Sequence, residues 1–380
     1  MDFATRREAM VALLRERQDI SEPVAAAMRA VPRHLFVPGV APEDAYRDEP
    51  IVTKRDAEGR PISSSSQPAI MAIMLDQLGV ELGQRVLEIG AGTGYNAALL
   101  GHLTGPGGRV VSVDIDADIV AQARKNLSGA GQAHVEVVCA DGAQGYEEPA
   151  PYDRLIATVG VWDLAPAWME QLGDEGRLVV PLDLRGVQVS VALEREGGHW
   201  VSRSVVPCGF MRMRGPFAGT EVITVLRPEL MLVLPESREL GDVLAALDTE
   251  PAQIPTKVEG PSSRAEIGMG AALWLALHEP RWCALIGELG PGTGYGGTSG
   301  LVEGDSIALL ASDGPLVVRG HGPDGARLAG ELAAHVRDWD AAGRPKTESL
   351  RIEAYEGPAP AGRTVIEKRH VNLALDFGAN

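Results

Sequence analysis

Apolar positions recur three and four residues apart through the first 30 residues, at Met10, Leu13, Leu14, Val24, Ala27, Met28 and Val31. That spacing predicts two amphipathic helices, the second opening near Ser21 and Pro23. Over residues 32–66 the rhythm dissolves into Pro, Gly, Asp and Ser, which predicts a long irregular loop. A regular alternation follows. A helix is expected over 68–78, a short apolar strand over 85–89, a glycine turn over 90–94 and a helix to about 103. Further strands are expected at 109–113, 135–139, 152–158 and 176–181, with helices at 115–127 and 166–172. Residues 187–194 and 200–206 read as antiparallel strands. Strands alternating with helices predict an α/β fold with a doubly wound parallel sheet.

Beyond residues 215–219 the alternation becomes less regular. Residues 223–234 read as extended, 238–247 and 263–278 as helical, and 283–288, 306–311 and 316–319 as strands. Leu328, Leu332 and Val336 form one stripe of a helix over 326–340, and strands at 349–355 and 364–371 close the chain. The expected organisation is therefore two domains, 1–215 and a C-terminal α+β accessory domain over 216–380, in keeping with the 380-residue length.

Charge narrows the partners. The formal charge of −17 disfavours nucleic-acid backbones and anionic membranes, which repel an acidic surface. No apolar run reaches the roughly 20 residues of a membrane span, and the charged first 20 residues do not read as a secretion signal. Cys139, Cys208 and Cys283 are few, odd in number and widely spaced, so neither a disulfide framework nor a zinc cluster is expected, and a cytoplasmic location is.

The chemistry concentrates in VLEIGAGTGYNAALL, residues 86–100. Glu88 lies near the end of an apolar strand, and Gly90, Gly92 and Gly94 then open a helix. Glycines there permit positive φ and close backbone approach to a ligand, at the carboxyl end of a strand where wound sheets bind ligands. Asp114 ends the next strand, placed to accept hydrogen bonds from ribose hydroxyls, and Asp141-Gly142 follows the third, placed for an adenine edge. This three-part arrangement favours S-adenosylmethionine over a dinucleotide. A second run, GPGTGYGG at 290–297, echoes the turn but lacks the acidic partners and reads as a loop. His34 and His370 read as packing or surface residues.

With VPRHLFVP (31–38), AYRDEPI (45–51), SQPAIM (66–71), VLEIGAGTGY (86–95), ADGAQG (140–145), APYDRLI (150–156) and QLGDEGRLVVPL (171–182), the chain resembles the protein-L-isoaspartate O-methyltransferases over about residues 5–214. The resemblance implies a Rossmann-like methyltransferase sheet and methyl transfer from S-adenosylmethionine to a carboxylate of a peptide or protein bearing Asp or isoaspartate. It implies donor-binding roles for Glu88, Gly90, Gly92, Gly94, Asp114, Asp141 and Gly142. The family's serine before the helix maps to Ser66 of PISSSSQPAIM, with Ser63, Gln67 and Pro68 expected beside the acceptor. A carboxylate is already ionised near neutral pH, so positioning and exclusion of water are the main tasks, with no metal expected. Arg47, Lys54, Arg55 and Arg60 are candidates to offset the acidic field locally.

The residues beyond the resemblance, with LRIEAYEG and VIEKRHVNLAL near the end, look like actinobacterial relatives of ribosomal-peptide maturation, in FxLD-type lanthipeptide, graspetide and lasso-peptide systems. Those relatives imply methylation of an ordinary Asp in a constrained peptide, the ester then closing to an aspartimide, with the accessory domain recognising the peptide. Isoaspartyl repair is the alternative, and oligomeric state is left open.

Overall fold

The computed structural model describes residues 2–57, 59–258, 270–288, 295–311 and 316–378. Helices α1 (Phe3–Arg17) and α2 (Glu22–Ala30) form where the apolar stripes predict them, Asp2 capping α1 through the Thr5 amide and Pro23 lying in the first turn of α2. Residues 32–66 are more ordered than expected. They hold a 3-10 turn (Arg33–Phe36), a one-turn helix α3 (Pro42–Ala45) and an antiparallel hairpin of β1 (Ile51–Arg55) and β2 (Pro61–Ser65). The hairpin is polar and half-exposed, so no apolar period marks it.

Helix α4 (Pro68–Leu78) then leads into β3 (Arg85–Ile89), α5 (Tyr95–Thr104), β4 (Arg109–Asp114), α6 (Ala117–Gly129), β5 (Glu136–Cys139), β6 (Tyr152–Ala157), α7 (Pro166–Gln171) and β7 (Leu172–Leu184). Strands β5, β4, β3, β6 and β7 are neighbours in that order and all parallel, which is the doubly wound arrangement. Nearly all their Val, Leu and Ile residues are buried, on both faces, as parallel strands between helices require. Strands β8 (Val187–Glu196) and β9 (His199–Pro207) extend the sheet antiparallel to β7.

Beyond residue 215 the chain builds a second sheet and then returns to the first. An antiparallel sheet of seven strands comprises β10 (Val222–Arg227), β11 (Leu230–Leu234), β12 (Ala252–Pro255), β13 (Trp282–Glu288), β14 (Tyr295–Glu303), β15 (Ser306–Ala311) and β16 (Val317–His321). With it run the short helices α8 (Val243–Leu247) and α9 (Ala272–His278) and the long α10 (Gly325–Ala341). Strands β17 (Leu350–Tyr355), β18 (Thr364–Glu367) and β19 (Asn372–Phe377) then return to the first sheet, where β17 pairs with β9, giving ten strands. One buried apolar cluster runs from Leu87 and Val111 through Ile352 and Leu373 to Leu328 and Val336 of α10. The α+β part has a small apolar cluster of its own, around Leu232, Leu285 and Ile307, and it also shares the large cluster with the first sheet, which strands β17, β18 and β19 complete.

Other expectations shift for local reasons. The extended 223–234 stretch is a hairpin because Glu229 turns the chain at positive φ. The helix over 238–247 shrinks to α8, capped by Asp242, while Arg238 reaches the carbonyls of Pro280 and Trp282. Residues 263–269 of the helix expected over 263–278 lie outside the described residues; its end is α9. Gly296 and Gly297, expected in a loop, lie on β14, and 290–294 lie outside the described residues.

Candidate active site

The turn after β3 is built from backbone. Gly90, Gly92 and Gly94 all take positive φ, at 100°, 50° and 83°. The amides of Gly90 and Ala91 donate to the Val113 carbonyl at 2.8 and 3.2 Å, and the Thr158 hydroxyl donates to the Gly90 carbonyl at 2.7 Å. A Cβ on Gly90 would approach Val159 Cγ1 to 2.9 Å, so only glycine fits between β3 and the end of β6. Gly94 ends the turn. It opens α5 and packs against Leu127 of α6, where a Cβ would lie 3.2 Å from Leu127 Cγ, and it is not on the cleft wall.

Glu88 is fully buried. One carboxylate oxygen accepts from Asn96 Nδ2 at 2.8 Å and the other from the Ser112 hydroxyl, so it ties β3 to β4 and α5. Burial pushes its pKa up to about 7, against the pull of those two hydrogen bonds. Asp114 ends β4 and accepts from the Gly92 amide at 3.0 Å and the Asp116 amide at 3.2 Å. Burial raises its pKa too, opposed by those amides. Asp141 caps the next turn through the Ala143 amide at 3.0 Å. The Gly142 carbonyl accepts from Trp168 Nε1 at 2.7 Å, and a Cβ on Gly142 would meet Ile89 Cγ2 at 2.6 Å.

Strand β2 and the start of α4 bring the serine run over this turn. Ser63, Ser66, Gln67, Glu88, Gly90, Gly92, Asp114, Asp141 and Gly142 all line one cleft of about 360 Å³. Pro68, expected beside the acceptor, is instead buried in the first turn of α4 and off the cleft wall. The serines differ among themselves. Ser63 accepts from the Thr53 hydroxyl at 3.2 Å, Ser65 Oγ is buried without a hydrogen-bond partner, and Ser66 sits half-buried where α4 begins. Gln67 donates to Asp48 at 3.1 Å, and the same carboxylate accepts from the Ala69 amide at 2.8 Å.

Two parts of the site were not foreseen. Arg33, with no exposed surface, donates to the carbonyls of Ala45, Arg47, Glu49 and Ser66 at 2.9 to 3.1 Å. One guanidinium thus pins the loop that delivers Ser66, and its only sequence signal is a place in VPRHLFVP. The other part is the wall over 207–214, which lines the cleft along with Thr158 and Val159. Its cations are Arg212, paired with Asp183 at 2.7 Å and with Glu221, and Arg214, paired with Asp116 at 2.7 Å. The basic loop residues named from sequence do not line the cleft, although Lys54 shares Asp116 with Arg214. Lys54 bridges Asp116 and Asp118, Arg47 pairs with Asp44, Arg60 with Asp56, and Arg55 donates to the Gly59 carbonyl. His34 stacks on Phe3 and His370 on Phe217, both as packing residues.

The site fits an adenosyl sulfonium donor. It offers close backbone approach at Gly90 and Gly92, a carboxylate at the end of β4, and Asn96 Oδ1, buried on the cleft wall without a hydrogen-bond partner. Among the described residues no group of three or more His, Cys, Asp and Glu side chains is placed to hold a metal ion. No helix among them is long and apolar enough to cross a membrane.

Fold and site together define a methyltransferase dependent on S-adenosylmethionine. Residues 5–215 match the family model for protein-L-isoaspartate (D-aspartate) O-methyltransferase, and the chain belongs to that family of carboxyl O-methyltransferases. It is 35% identical to protein-L-isoaspartate O-methyltransferase 2 of Archaeoglobus fulgidus over 218 residues, covering 57% of this chain and 96% of the relative. It is 45% identical to the Methanoculleus marisnigri protein-L-isoaspartate O-methyltransferase over 193 residues, covering 50% of this chain and 84% of the relative. A solved protein-L-isoaspartate O-methyltransferase superposes with a TM-score of 0.54 at 26% identity, covering 91% of this chain and 96% of the other.

Proposed function

We propose that this cleft methylates an aspartyl-type carboxylate held in a polypeptide, with isoaspartate as the principal acceptor. The observation that carries the reading is that the donor turn and the Ser66 segment line the same cleft. When bound, S-adenosylmethionine supplies a methyl group on a sulfonium, open to in-line attack by a carboxylate oxygen. Asp114 would receive the ribose hydroxyls, Asp141 and Gly142 would border the adenine, and Gly90 and Gly92 would give the donor its backbone seat. Glu88 acts from behind, its carboxylate holding Asn96 and Ser112 in place. Ser66 orients one oxygen of the acceptor while the other attacks. Walls from β2, α4 and residues 207–214 line the cleft, and the chemistry rests on positioning.

The constrained-peptide reading draws on the length beyond residue 215 together with LRIEAYEG and VIEKRHVNLAL near the end. A protein-L-isoaspartate O-methyltransferase that superposes on 91% of the chain makes that length no mark of peptide maturation, and it favours the isoaspartyl acceptor. Methylation of Asp in a cyclised peptide, with closure to aspartimide, stands second; it keeps the same cleft and changes only the acceptor.

Mass spectrometry of the enzyme with S-adenosylmethionine and two acceptors separates the readings. One is a linear isoaspartyl peptide, the other a macrocyclic peptide carrying ordinary Asp. One methyl mass added to the isoaspartyl peptide supports the first reading. Methyl addition followed by net loss of water in the macrocycle alone would replace it with the second.

A further inference from the structure

The motif VIEKRHVNLAL serves no role in the donor site, yet its turn between β18 and β19 contacts Asp183, which holds Arg212 of the cleft wall. Lys368 is almost wholly buried, with 2% of its side chain exposed. Its Nζ donates to the Asp183 carbonyl at 2.9 Å, lies 3.7 Å from Asp183 Oδ1, and stands 4.9 Å over the Trp162 ring. Asp183 in turn holds Arg212 at 2.7 Å, and Arg212 pairs with Glu221. The result is an alternating chain of charges, Lys368, Asp183, Arg212 and Glu221, drawn from the closing hairpin, the end of β7, the cleft wall and the approach to β10. Burial lowers the lysine's proton affinity, while Asp183 and Asp163 oppose that shift.

The neighbouring contacts aim the turn at the same place. The His370 amide donates to Asp163 at 2.7 Å, and its ring stacks on Phe217. Beside Arg212, the amides of Gly160 and Met213 exchange hydrogen bonds with the carbonyls of Met211 and Gly160, both at 2.8 Å. Gly160 follows β6 directly after Thr158 and Val159, which border the cleft with Arg212. A buried ion pair that loses one partner leaves the other charge stranded, so the chain is set as a unit.

We infer that Lys368 is a positioning residue for the methyl acceptor: through Asp183 it fixes Arg212 and the 211–214 wall of the cleft. The closing hairpin is thereby coupled to acceptor binding, 150 or more positions along the chain from the residues it orders. This assignment rests on the carboxyl-methylation reading above.

The test uses Lys368→Met, Lys368→Arg, Lys368→Gln, Arg212→Met and the double variant Lys368→Met/Arg212→Met. Lys368→Met should raise KM for the isoaspartyl peptide about fivefold or more, with the S-adenosylhomocysteine dissociation constant within about twofold of wild type. Lys368→Arg should restore most of the loss, and the double variant should be no worse than Arg212→Met alone. An unchanged peptide KM with a lowered Tm would reduce Lys368 to a structural brace and overturn the assignment. So would losses that multiply in the double variant. Lys368→Gln, which keeps a donor toward the Asp183 carbonyl, serves the same KM measurement if Lys368→Met does not fold. Should wild type methylate neither acceptor peptide, the functional reading has failed. The coupling is then read from Tm alone, where non-additive shifts support the charge chain and additive shifts overturn it.

Discussion

The two halves of the cleft are built in opposite ways. The donor half is local. Within 55 residues, 88–142, three parallel strand ends supply Glu88, Asp114 and Asp141, and the glycine turn is fixed by backbone hydrogen bonds to the neighbouring strand. The half proposed for the acceptor is assembled from afar: Arg33 reaches Ser66, Asp183 reaches Arg212, and Lys368 reaches Asp183. On the proposed reading, the donor is held by a motif written in one stretch of chain. The acceptor's surroundings depend on the whole fold, including its last hairpin.

The sharpest way to break the contrast is at the turn. Gly90→Ala places a Cβ 2.9 Å from Val159 at a φ of 100°, and should weaken S-adenosylhomocysteine binding about a hundredfold, read by calorimetry. Retained affinity would mean the turn is not the donor seat. Next in size is Arg33→Met, which leaves four carbonyls without their guanidinium partner. It should cost about 3 kcal/mol of stability by denaturant titration, with kcat falling more than donor affinity. Equal losses in both would place Arg33 outside the acceptor half.

The smallest effect is a pH dependence at Glu88. Its folded pKa of about 7 lies above the ordinary 4.5, so the folded protein holds a proton that the unfolded chain releases between those values. Stability from this group therefore falls as pH rises through that window and is spared below it. Glu88→Gln, which keeps a carbonyl oxygen for Asn96, should be about 1–2 kcal/mol more stable than wild type at pH 8 and equal near pH 4. A gap that widens toward acid would contradict the assigned protonation.

The same contrast explains what the sequence disclosed. The parallel strands, their helices and the glycine turn were legible because apolar period and strand-end acids are local signals. The β1–β2 hairpin was not, because polar, half-exposed strands carry no apolar period. Nor was the return of β17, β18 and β19 to the first sheet, since strand order depends on pairing between residues 150 apart, such as Val201 with Glu353. Arg33 was visible as part of a motif, but nothing in the motif says that it holds the Ser66 carbonyl. The cations named from sequence were those nearest in the chain, whereas Arg212 and Arg214 reach the cleft from the far end of β9.

The division of labour is tested most directly by comparing Ser66→Ala with Ser63→Ala. Methyl transfer to the isoaspartyl peptide and S-adenosylhomocysteine affinity are measured on the same preparations. Ser66→Ala should lower kcat about tenfold or more with donor affinity unchanged, and Ser63→Ala about twofold or less. The reverse ranking, or donor affinity falling in step with kcat in Ser66→Ala, would contradict a cleft in which the serine segment serves the acceptor alone.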